Sequence, residues 1–277
     1  MREYLKTNYN FDSKEVVDNY DELCLWAAPF GLTMLDTITY KKNMKVIDIG
    51  CGVGFPLIEL AQRLGSNSKI YGIDPWEKAL EKVKHKANVL RLNNIELIAK
   101  GAEELPFEEG YLNLIVSNNG LNNVNDIKQV LSESYRVLNK DGQLVFTFNL
   151  PETMKEFYDL YKETLIEHNL IDCLENMDVH INKKRKSIQE MAELVKEAGF
   201  KEVKVSEHSF NMKFVDGTSM LNYYFIKLYF MKPWINIVGE DKGDKVFHIL
   251  EDKLNALAEQ KGVLKLTIPY ACFSCRK

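Results

Sequence analysis

The chain has 277 residues, of which 45% are hydrophobic and 27% are charged, and its formal net charge is −4. This composition is typical of a globular protein with one large α/β domain, or with one domain and an appended cap. Proteins that hold nucleic-acid phosphates usually carry a basic field, so this charge balance disfavours an RNA or DNA substrate.

Residues 1–44 precede the first predicted strand and are expected to be helical. The segment 21–37 is rich in apolar and aromatic side chains, and we expect Pro29 and Gly31 to break its helix. Trp26 in this segment is a candidate substrate contact. The first fifteen residues lack the apolar core of a signal peptide, and the five cysteines are odd in number and scattered. Both features predict a reducing, cytoplasmic setting.

From residue 45 the chain alternates apolar strands with amphipathic helices. The predicted strands cover 45–50, 69–74, 95–100, 112–118 and 143–150, and the predicted helices cover 56–64, 76–90 and 125–138. Such alternation implies right-handed crossovers and a mostly parallel, buried sheet. Ligands of such a sheet bind beyond the carboxyl ends of its strands. Side chains that follow these strands are therefore candidate site residues.

A glycine-rich turn follows the first strand. The strand ends in Asp48, and Gly50, Gly52 and Gly54 follow before Pro56 opens a helix. Without Cβ atoms such a turn lets a ligand touch the backbone. A dinucleotide site wants Gly-x-Gly-x-x-Gly, whereas the third glycine here comes one residue early. An acid before the first glycine would repel a diphosphate but suits an ammonium group. The turn resembles the S-adenosylmethionine (SAM) loop of class I methyltransferases.

This resemblance implies a Rossmann-like α/β fold with a seven-stranded, mostly parallel sheet of order 3-2-1-4-5-7-6. The late strands predicted at 201–208 and 264–274 match its antiparallel edge pair. The cofactor implied is SAM, with S-adenosylhomocysteine (SAH) as the product. Asp48 would lie near the SAM amino group, and Gly50, Cys51 and Gly52 would lie against the methionine part. The expected domains are an N-terminal helical cap (1–40), a SAM-binding core (41–150), a helical cap insertion (151–186), and the rest of the core (187–277) with a helical insertion at 217–261.

The second strand ends in Asp74, 20 residues beyond Gly54. A carboxylate at the tip of this strand can accept both ribose hydroxyls, as acids do in related nucleotide folds. It can also cap the next helix. Pro75 and Trp76 follow, and Trp76 either packs on the adenine or ribose or packs only on protein.

The segment Gly101-Ala102-Glu103-Glu104-Leu105-Pro106-Phe107 follows the third strand. It resembles the Asp-Ala-Glu-x-Leu-Pro-Phe run of the quinone-biosynthesis C-methyltransferases and their small-molecule relatives. In that family the first Asp binds the adenine amino group, and the Ala amide meets a ring nitrogen. Gly101 stands in place of that Asp here. The resemblance therefore implies an amide contact from Ala102 and an amino contact from elsewhere, such as Glu103 or a backbone carbonyl.

The fourth strand ends in Ser117 and Asn118, which we expect to touch the methionine end of SAM. Asn119 and Asn122 either reach the substrate or stabilise the loop through side-chain turns. No Pro-Pro-aromatic run follows this strand, so methylation of a nucleic-acid base is disfavoured. The candidate cofactor residues are Asp48, Gly50, Cys51, Gly52, Asp74, Pro75, Trp76, Gly101, Ala102, Glu103, Ser117 and Asn118.

Methyl transfer needs a nucleophile in line with the sulfonium methyl bond, and it needs a base only if that nucleophile arrives protonated. His168 and His180 flank the first cap region and are the preferred base candidates, although a lone histidine is more often structural. The further candidates are His208, Tyr20, Tyr224 and Tyr270. Tyr224 also belongs to the aromatic stretch 221–238, which either lines an apolar substrate pocket or buries a cap helix. Charged and polar residues interrupt that stretch, so it does not predict a membrane span.

Two further features, a late cysteine pair and a basic run, have either a functional or a purely structural role. Cys272 and Cys275 could bind a metal or form a redox pair, but no second Cys/His pair lies at ligand spacing, so we expect no metal. The basic run 183–186 could attract a phosphate, carboxylate or lipid headgroup, or it could be a solvated connection.

The sequence thus predicts SAM-dependent methyl transfer to a small, apolar or amphipathic molecule, by in-line displacement within a capped pocket. One alternative is a methyltransferase of a membrane quinone or lipid. Another is a non-catalytic SAM-binding regulatory protein, and a nicotinamide oxidoreductase is opposed by the glycine spacing. The methylated atom and the oligomeric state stay open.

Overall fold

The computed structural model describes residues 2–22 and 24–277. A sheet of seven strands in the order 3-2-1-4-5-7-6 forms its centre, which confirms the predicted fold. The first five strands pair in parallel, and the fifth and seventh pair antiparallel. The strands are β1 (Lys45–Ile49), β2 (Lys69–Ile73), β3 (Ile95–Ile98), β4 (Leu112–Asn118), β5 (Leu138–Asn149), β6 (Lys201–Phe214) and β7 (Leu264–Arg276).

Helices connect and flank these strands. The helices of the described residues are α1 (Lys14–Glu22), α2 (Cys24–Thr37), α3 (Leu57–Leu64), α4 (Glu77–Val89), α5 (Ile127–Val137), α6 (Lys155–Glu167), α7 (Asp172–Lys184), α8 (Ile188–Glu197), α9 (Gly217–Asn222), α10 (Tyr224–Ile226), α11 (Lys232–Val238) and α12 (Glu240–Lys261). A π-helical turn, Lys227–Met231, joins α10 to α11. Short 3₁₀ turns lie at Glu3–Leu5 and Leu121–Asn123.

Helix α2 is continuous, so the expectation that Pro29 and Gly31 break it is wrong. Proline removes one hydrogen bond from a helix interior, but Phe30 and Met34 on the same helix are fully buried, and their packing offsets that loss. At Gly31 a close contact requires glycine, because a Cβ there would lie 2.3 Å from the ring of Phe55. Gly31 therefore allows the Phe55 ring to pack against α2 and does not break the helix.

One face of the sheet forms an apolar core with α2, α3 and α4. The strand residues in this core include Val46, Leu114, Val116 and Val145, which are all fully buried. Side chains alternate between the faces of a strand, so Asp48 lies on the same face as Val46, and Asn118 on the same face as Val116. Both polar groups therefore continue the apolar face at its carboxyl edge.

The chain divides into two compact units, which we call the sheet unit and the helical unit. The sheet unit comprises residues 11–149, 187–208 and 270–277, and the helical unit comprises 1–10, 150–186 and 209–269. Within the helical unit, the rings of Phe157 and Trp234 stack with centroids 3.9 Å apart. The Tyr161 hydroxyl donates to the Trp234 carbonyl at 2.9 Å.

Candidate cofactor site

The glycine turn between β1 and α3 has the backbone conformation that its sequence predicts. Gly50, Gly52 and Gly54 have φ values of 74°, 49° and 104°, a region that favours glycine. The Gly50 amide donates to the Ile73 carbonyl at 2.9 Å, which ties the turn to the end of β2. A Cβ on Gly50 would lie 3.0 Å from the Cα of Gly120. The turn is therefore both left-handed and crowded by the segment that follows β4.

Asp48 is an unusual carboxylate because it is 0% exposed and lacks hydrogen-bond partners. Neither of its side-chain oxygens has one among the described residues. Burial is the main cause that raises the pKa of Asp48 well above its ordinary value, and the neighbouring Asp74 carboxylate raises it further. The Leu57 amide opposes this rise in pKa, although its N–H falls outside hydrogen-bonding geometry. A cationic ligand would supply the partner that this buried acid lacks.

Asp74 lies beyond the end of β2 and is held by two backbone amides. Its Oδ2 accepts from the Gly52 N–H at 2.9 Å, and its Oδ1 accepts from the Trp76 N–H at 2.8 Å. Burial raises its pKa, and these two amides oppose the rise. A carboxylate offers about four lone-pair sites, so both oxygens can still accept from a ligand. Pro75, between Asp74 and Trp76, is exposed.

Trp76 packs on protein in this structure. Its indole N–H donates to the Phe11 carbonyl at 3.1 Å, and its ring centroid lies 5.4 Å from that of Tyr20 on α1. The same cluster buries Val17 of α1 against Val53 of the glycine turn. These contacts satisfy the indole without a ligand, and its predicted contact with the cofactor stays a prediction.

Helix α1 of the expected N-terminal cap lies beside the glycine turn, a contact that the sequence does not specify. A Cβ on Gly52 would be 3.9 Å from the Tyr20 ring. Lys82 of α4 pairs with Asp18 of α1 at 2.7 Å, and Lys86 of α4 pairs with Asp21 of α1. The available signal was the apolar spacing of Val16, Val17 and Tyr20 on an otherwise polar helix.

The segment after β3 brings Glu103 next to Gly101. A Cβ on Gly101 would lie 2.5 Å from Oε2 of Glu103, so the carboxylate occupies the space that a side chain at position 101 would take. Oε1 of Glu103 accepts from the backbone N–H of Asn125 at 3.0 Å. Ala102 is buried. Arg136 of α5 donates to the Leu105 carbonyl at 3.0 Å and helps to hold this segment in place.

Ser117 and Asn118 at the end of β4 point to different faces of the sheet. The buried Ser117 hydroxyl donates to the Ile49 carbonyl at 2.8 Å. The Asn118 amide nitrogen donates to the Ala27 carbonyl of α2 at 3.2 Å, and its Oδ1 accepts from Thr147 at 3.2 Å. Asn118 therefore lies on the Asp48 face, while Ser117 fastens β4 to β1.

An asparagine cluster follows β4. Asn119 has a φ of 59°, and its Oδ1 accepts from the Asn122 side chain at 2.6 Å. The same Asn122 amide donates to Oδ1 of Asn149 at 2.6 Å. Asn119 and Asn122 thus stabilise the loop, which is one of the two roles that the sequence allows.

The candidate bases His168 and His180 belong to the helical unit. His168 is exposed at the end of α6. Nε2 of His180 lies 3.0 Å from the Tyr158 hydroxyl. Tyr224, a candidate substrate contact of that unit, makes an edge contact with Tyr9 at 5.7 Å between centroids. Trp26, in the sheet unit, is half-buried beside Phe30 at 5.7 Å. The roles of these four residues stay predictions.

Arg185 of the basic run and the two cysteines of β7 are buried, whereas Lys183 is exposed. Arg185 is only 6% exposed, and its guanidinium lies 5.3 Å from the Tyr158 ring centroid. The Lys184 side chain lies outside the described atoms. Cys272 and Cys275 are buried, and the Cys272 thiol donates to the Thr37 hydroxyl at 3.6 Å. Over residues 2–22 and 24–277, no helix is long and apolar enough to cross a membrane.

A cavity of about 250 Å³ lies apart from the candidate cofactor residues and is lined in part by Thr37 and Cys272. Its lining includes Thr39, Gln143 and Arg276, toward the amino end of β5. The carboxyl ends of β1, β2 and β4, in contrast, bring together the acids and glycines that the sequence selects.

Comparison with known proteins identifies the family. A family model described as a methyltransferase domain matches residues 40–199, and the chain belongs to the class I SAM-dependent methyltransferases. Demethylmenaquinone methyltransferase of Bacillus mycoides is 31% identical over 182 residues, which is 62% of this chain and 76% of that protein.

Solved structures support the fold. The YcgJ protein of Bacillus subtilis matches with a TM-score of 0.58 at 15% identity, covering 90% of this chain and 97% of its own. A phosphoethanolamine N-methyltransferase of Haemonchus contortus, bound to phosphomonomethylethanolamine and SAH, also matches with a TM-score of 0.58. It is 14% identical, and the match covers 100% of this chain and 60% of that one.

The residues present fit the cofactor of the family, which is SAM. A cationic amino group suits the partnerless carboxylate of Asp48, and the turn has no Cβ atoms at Gly50 and Gly52 to obstruct a ligand. The protein is a SAM-dependent methyltransferase, which sets aside the nicotinamide oxidoreductase.

Proposed function

We propose that this methyltransferase acts on a small apolar or amphipathic molecule and holds SAM at the carboxyl ends of β1, β2 and β4. The observation that carries the proposal is the buried, partnerless Asp48 beside a left-handed glycine turn. A carboxylate in that position needs a cation, and the amino group of SAM supplies one.

Each remaining cofactor contact is proposed from a separate element. Asp74 accepts from the ribose hydroxyls, since its two oxygens are oriented by the Gly52 and Trp76 amides. The Ala102 amide meets the adenine ring. The Glu103 carboxylate accepts a hydrogen bond from the adenine amino group, because it fills the space beside Gly101.

The cofactor supplies an electrophilic methyl group on a sulfonium when it is bound. The protein's contribution is to fix the acceptor in line with that methyl and to exclude water, and positioning of this kind can supply roughly 7–11 kcal/mol. A protonated acceptor also requires a base. His168 and His180 are the proposed candidates, and a solvent-exposed imidazole such as His168 can pass a proton to water.

The proposed acceptor class draws support from the aromatic side chains of the helical unit. The ring of Phe230 lies 5.3 Å from that of Trp234, and Phe225 lies 5.2 Å from Tyr229, between centroids. The likeness to demethylmenaquinone methyltransferase favours a second candidate, a membrane quinone or a related lipid. Demethylmenaquinone with a short side chain is therefore the first acceptor to assay.

The proposal is tested in two stages with protein freed of co-purified ligand. Calorimetric titration with SAM and SAH comes first, and binding of both at micromolar concentrations is expected. Formation of SAH is then measured with demethylmenaquinone analogues and with a panel of apolar phenols and amines. Failure of folded protein to bind SAH would contradict the cofactor site. Binding followed by turnover only on highly polar acceptors would contradict the acceptor class.

The quinone candidate has its own measurement. Co-sedimentation with anionic vesicles that contain the quinone should depend on the exposed Lys183 if a membrane supplies the acceptor. Lys183→Glu is the variant, and Lys140→Glu, an exposed lysine of the sheet unit, is its matched control. Equal sedimentation of both variants and the unaltered protein would count against a membrane site at the basic run.

A further inference from the structure

We propose that the protein takes up its cofactor in exchange for a proton: Asp48 is a neutral acid in the cofactor-free protein and ionises when the cofactor's ammonium group binds. This step rests on the proposed function, in which Asp48 faces that amino group. It makes Asp48 the residue through which pH controls cofactor affinity.

The surroundings of Asp48 favour the neutral acid. The side chain is 0% exposed, and neither oxygen has a hydrogen-bond partner among the described residues. An ionised carboxylate in such a place has lost its water and gained no donor, and real proteins avoid this by shifting the pKa until the group is neutral. A protonated carboxyl avoids most of that penalty.

The described neighbours of Asp48 on β2, on β4 and in the glycine turn are neutral or acidic. Its register partners are Gly72 on β2 and Val116 on β4. The titratable neighbours are Asp74 beyond β2 and the Cys51 thiol of the glycine turn.

The polar side chain at the end of β4 on the same face as Asp48 is neutral and already engaged. The Asn118 side-chain amide donates to the Ala27 carbonyl at 3.2 Å. The Leu57 amide acts against burial and lowers the pKa of the carboxyl. Burial and Asp74 both raise the pKa of Asp48, and no described cation lowers it.

Two neighbouring carboxyl groups without a cation share their protons unequally. Asp74 has two backbone amides that stabilise its charge, whereas Asp48 accepts no hydrogen bond from the described residues. The proton therefore resides on Asp48. When an ammonium group binds, the O–H bond of Asp48 breaks, the proton passes to the solvent buffer, and the carboxylate pairs with the ammonium. No electron is transferred.

This exchange sets the sign and size of the pH effect. Below the pKa of Asp48 in the cofactor-free protein, each bound ligand releases close to one proton. Affinity then rises up to tenfold for each pH unit, because removing a product of binding favours binding. Above that pKa the release stops and affinity levels off.

Titration calorimetry with SAH measures this release directly. SAH carries the ammonium group without the sulfonium, so it isolates the pairing with Asp48. The titration is run at several values from about pH 5 to about pH 6.5, where an α-amino group of pKa about 8 is already protonated and contributes no proton. Two buffers of low and high ionisation enthalpy are compared. The expected result is a difference in apparent binding enthalpy that corresponds to nearly one released proton. Equal enthalpies in both buffers would overturn the proposal.

Two matched variants identify the source of the proton. Asp48→Asn should bind SAH more weakly and release no proton, with an affinity that is flat from about pH 6 to about pH 7. Asp74→Asn should also bind more weakly but should still release a proton. Release that persists in Asp48→Asn and disappears in Asp74→Asn would overturn the assignment to Asp48. If Asp48→Asn does not fold, the unaltered protein and Asp74→Asn still decide the question.

Failure of the inference is distinguishable from failure of the proposed function. SAH that binds without proton exchange overturns the inference alone and leaves the cofactor site in place. Folded, ligand-free protein that does not bind SAH overturns both.

Discussion

Two carboxylates near the glycine turn have opposite environments, although the sequence presents both as acids at the ends of strands. Asp74 accepts two backbone N–H groups and is oriented before a ligand arrives. Asp48 is fully buried and accepts none from the part of the chain that the structure describes. The first arrangement suits a permanent hydrogen-bond acceptor, and the second suits a group that changes its charge on binding.

Removing the Asp74 carboxylate should weaken cofactor binding. Asp74→Ala is expected to weaken SAH binding by about 1.5–3 kcal/mol, the range for hydrogen bonds to a charged group. Calorimetric titration measures the change. Asp216→Ala is the matched control, since Asp216 also accepts a backbone N–H, from Ser219, but at the start of α9. Equal affinity in Asp74→Ala and the unaltered protein would remove Asp74 from the site.

Replacing Asp48 should also change how stability depends on pH without cofactor. Between the ordinary carboxyl pKa of about 4 and the raised pKa in the folded chain, the folded state holds one more proton than the unfolded state. The contribution of this group to the free energy of unfolding therefore falls as pH rises, by about 1.4 kcal/mol per pH unit.

Urea unfolding of Asp48→Asn and of the unaltered protein at about pH 5, 6 and 7 measures this contribution. The variant should lose less stability across the series, because its amide does not titrate. Parallel curves would contradict an Asp48 that is protonated in the folded protein.

At the scale of elements, the β1–α3 turn combines two constraints that only glycine meets. Gly50 has a φ of 74° and also lies against the backbone of Gly120. Helix α1 adds a third element at this point, since Tyr20 lies near Gly52 and Val17 packs on Val53. The turn is therefore held by β2, by the loop after β4 and by α1, so a change in its backbone shifts several proposed cofactor contacts together.

A methyl group on Gly50 should weaken cofactor binding in addition to destabilising the fold. Gly50→Ala is expected to reduce stability by about 1–3 kcal/mol, from the left-handed φ together with the contact with Gly120, and to weaken SAH binding. Gly262→Ala is the matched control, because Gly262 has a φ of 76° and nothing lies within 4 Å of its Cβ position. The control should lose stability but keep its SAH affinity. Identical SAH affinity in both variants would contradict the proposed place of the turn in the site.

At the scale of the whole molecule, the candidate site gathers segments that are far apart in the chain. Parallel pairing of β1 with β2 and β4 brings their carboxyl ends to one edge of the sheet. The asparagine cluster links the end of β4 to the end of β5 at the same edge.

SAH should therefore slow amide hydrogen exchange in four separate segments together. These are 48–54, 72–76, 101–103 and 117–122, and mass spectrometry of peptic peptides measures the change. Peptides from 41–45 and 139–142, at the amino edge of the same sheet, serve as internal controls. Protection confined to one of the four segments would contradict a shared site.

The sequence predicts the strands well where an apolar run is bounded on both sides. β1, β2 and β4 fall within one residue of their predicted ends. β5 begins at Leu138 and β6 continues to Phe214, so both strands are longer than predicted. The length of a strand depends on the strands that it pairs with, and its own residues do not determine it. The helical cap insertion expected at 151–186 contains two helices, α6 and α7, which are separated at 168–171. The loss of one hydrogen bond at Pro29 does not break α2, since burial of its neighbours outweighs it.

The sequence by itself determined the family, the fold and the cofactor of this protein. An acid followed by alternating glycines is a local signal, because it records backbone conformations that other residues rarely adopt. Only the tertiary structure decided that Asp48 lacks a partner, that Glu103 fills the space beside Gly101, and that Trp76 packs on α1. These facts depend on contacts between segments distant in the chain. The periodicity of a single segment states which face is buried but not what lies against it.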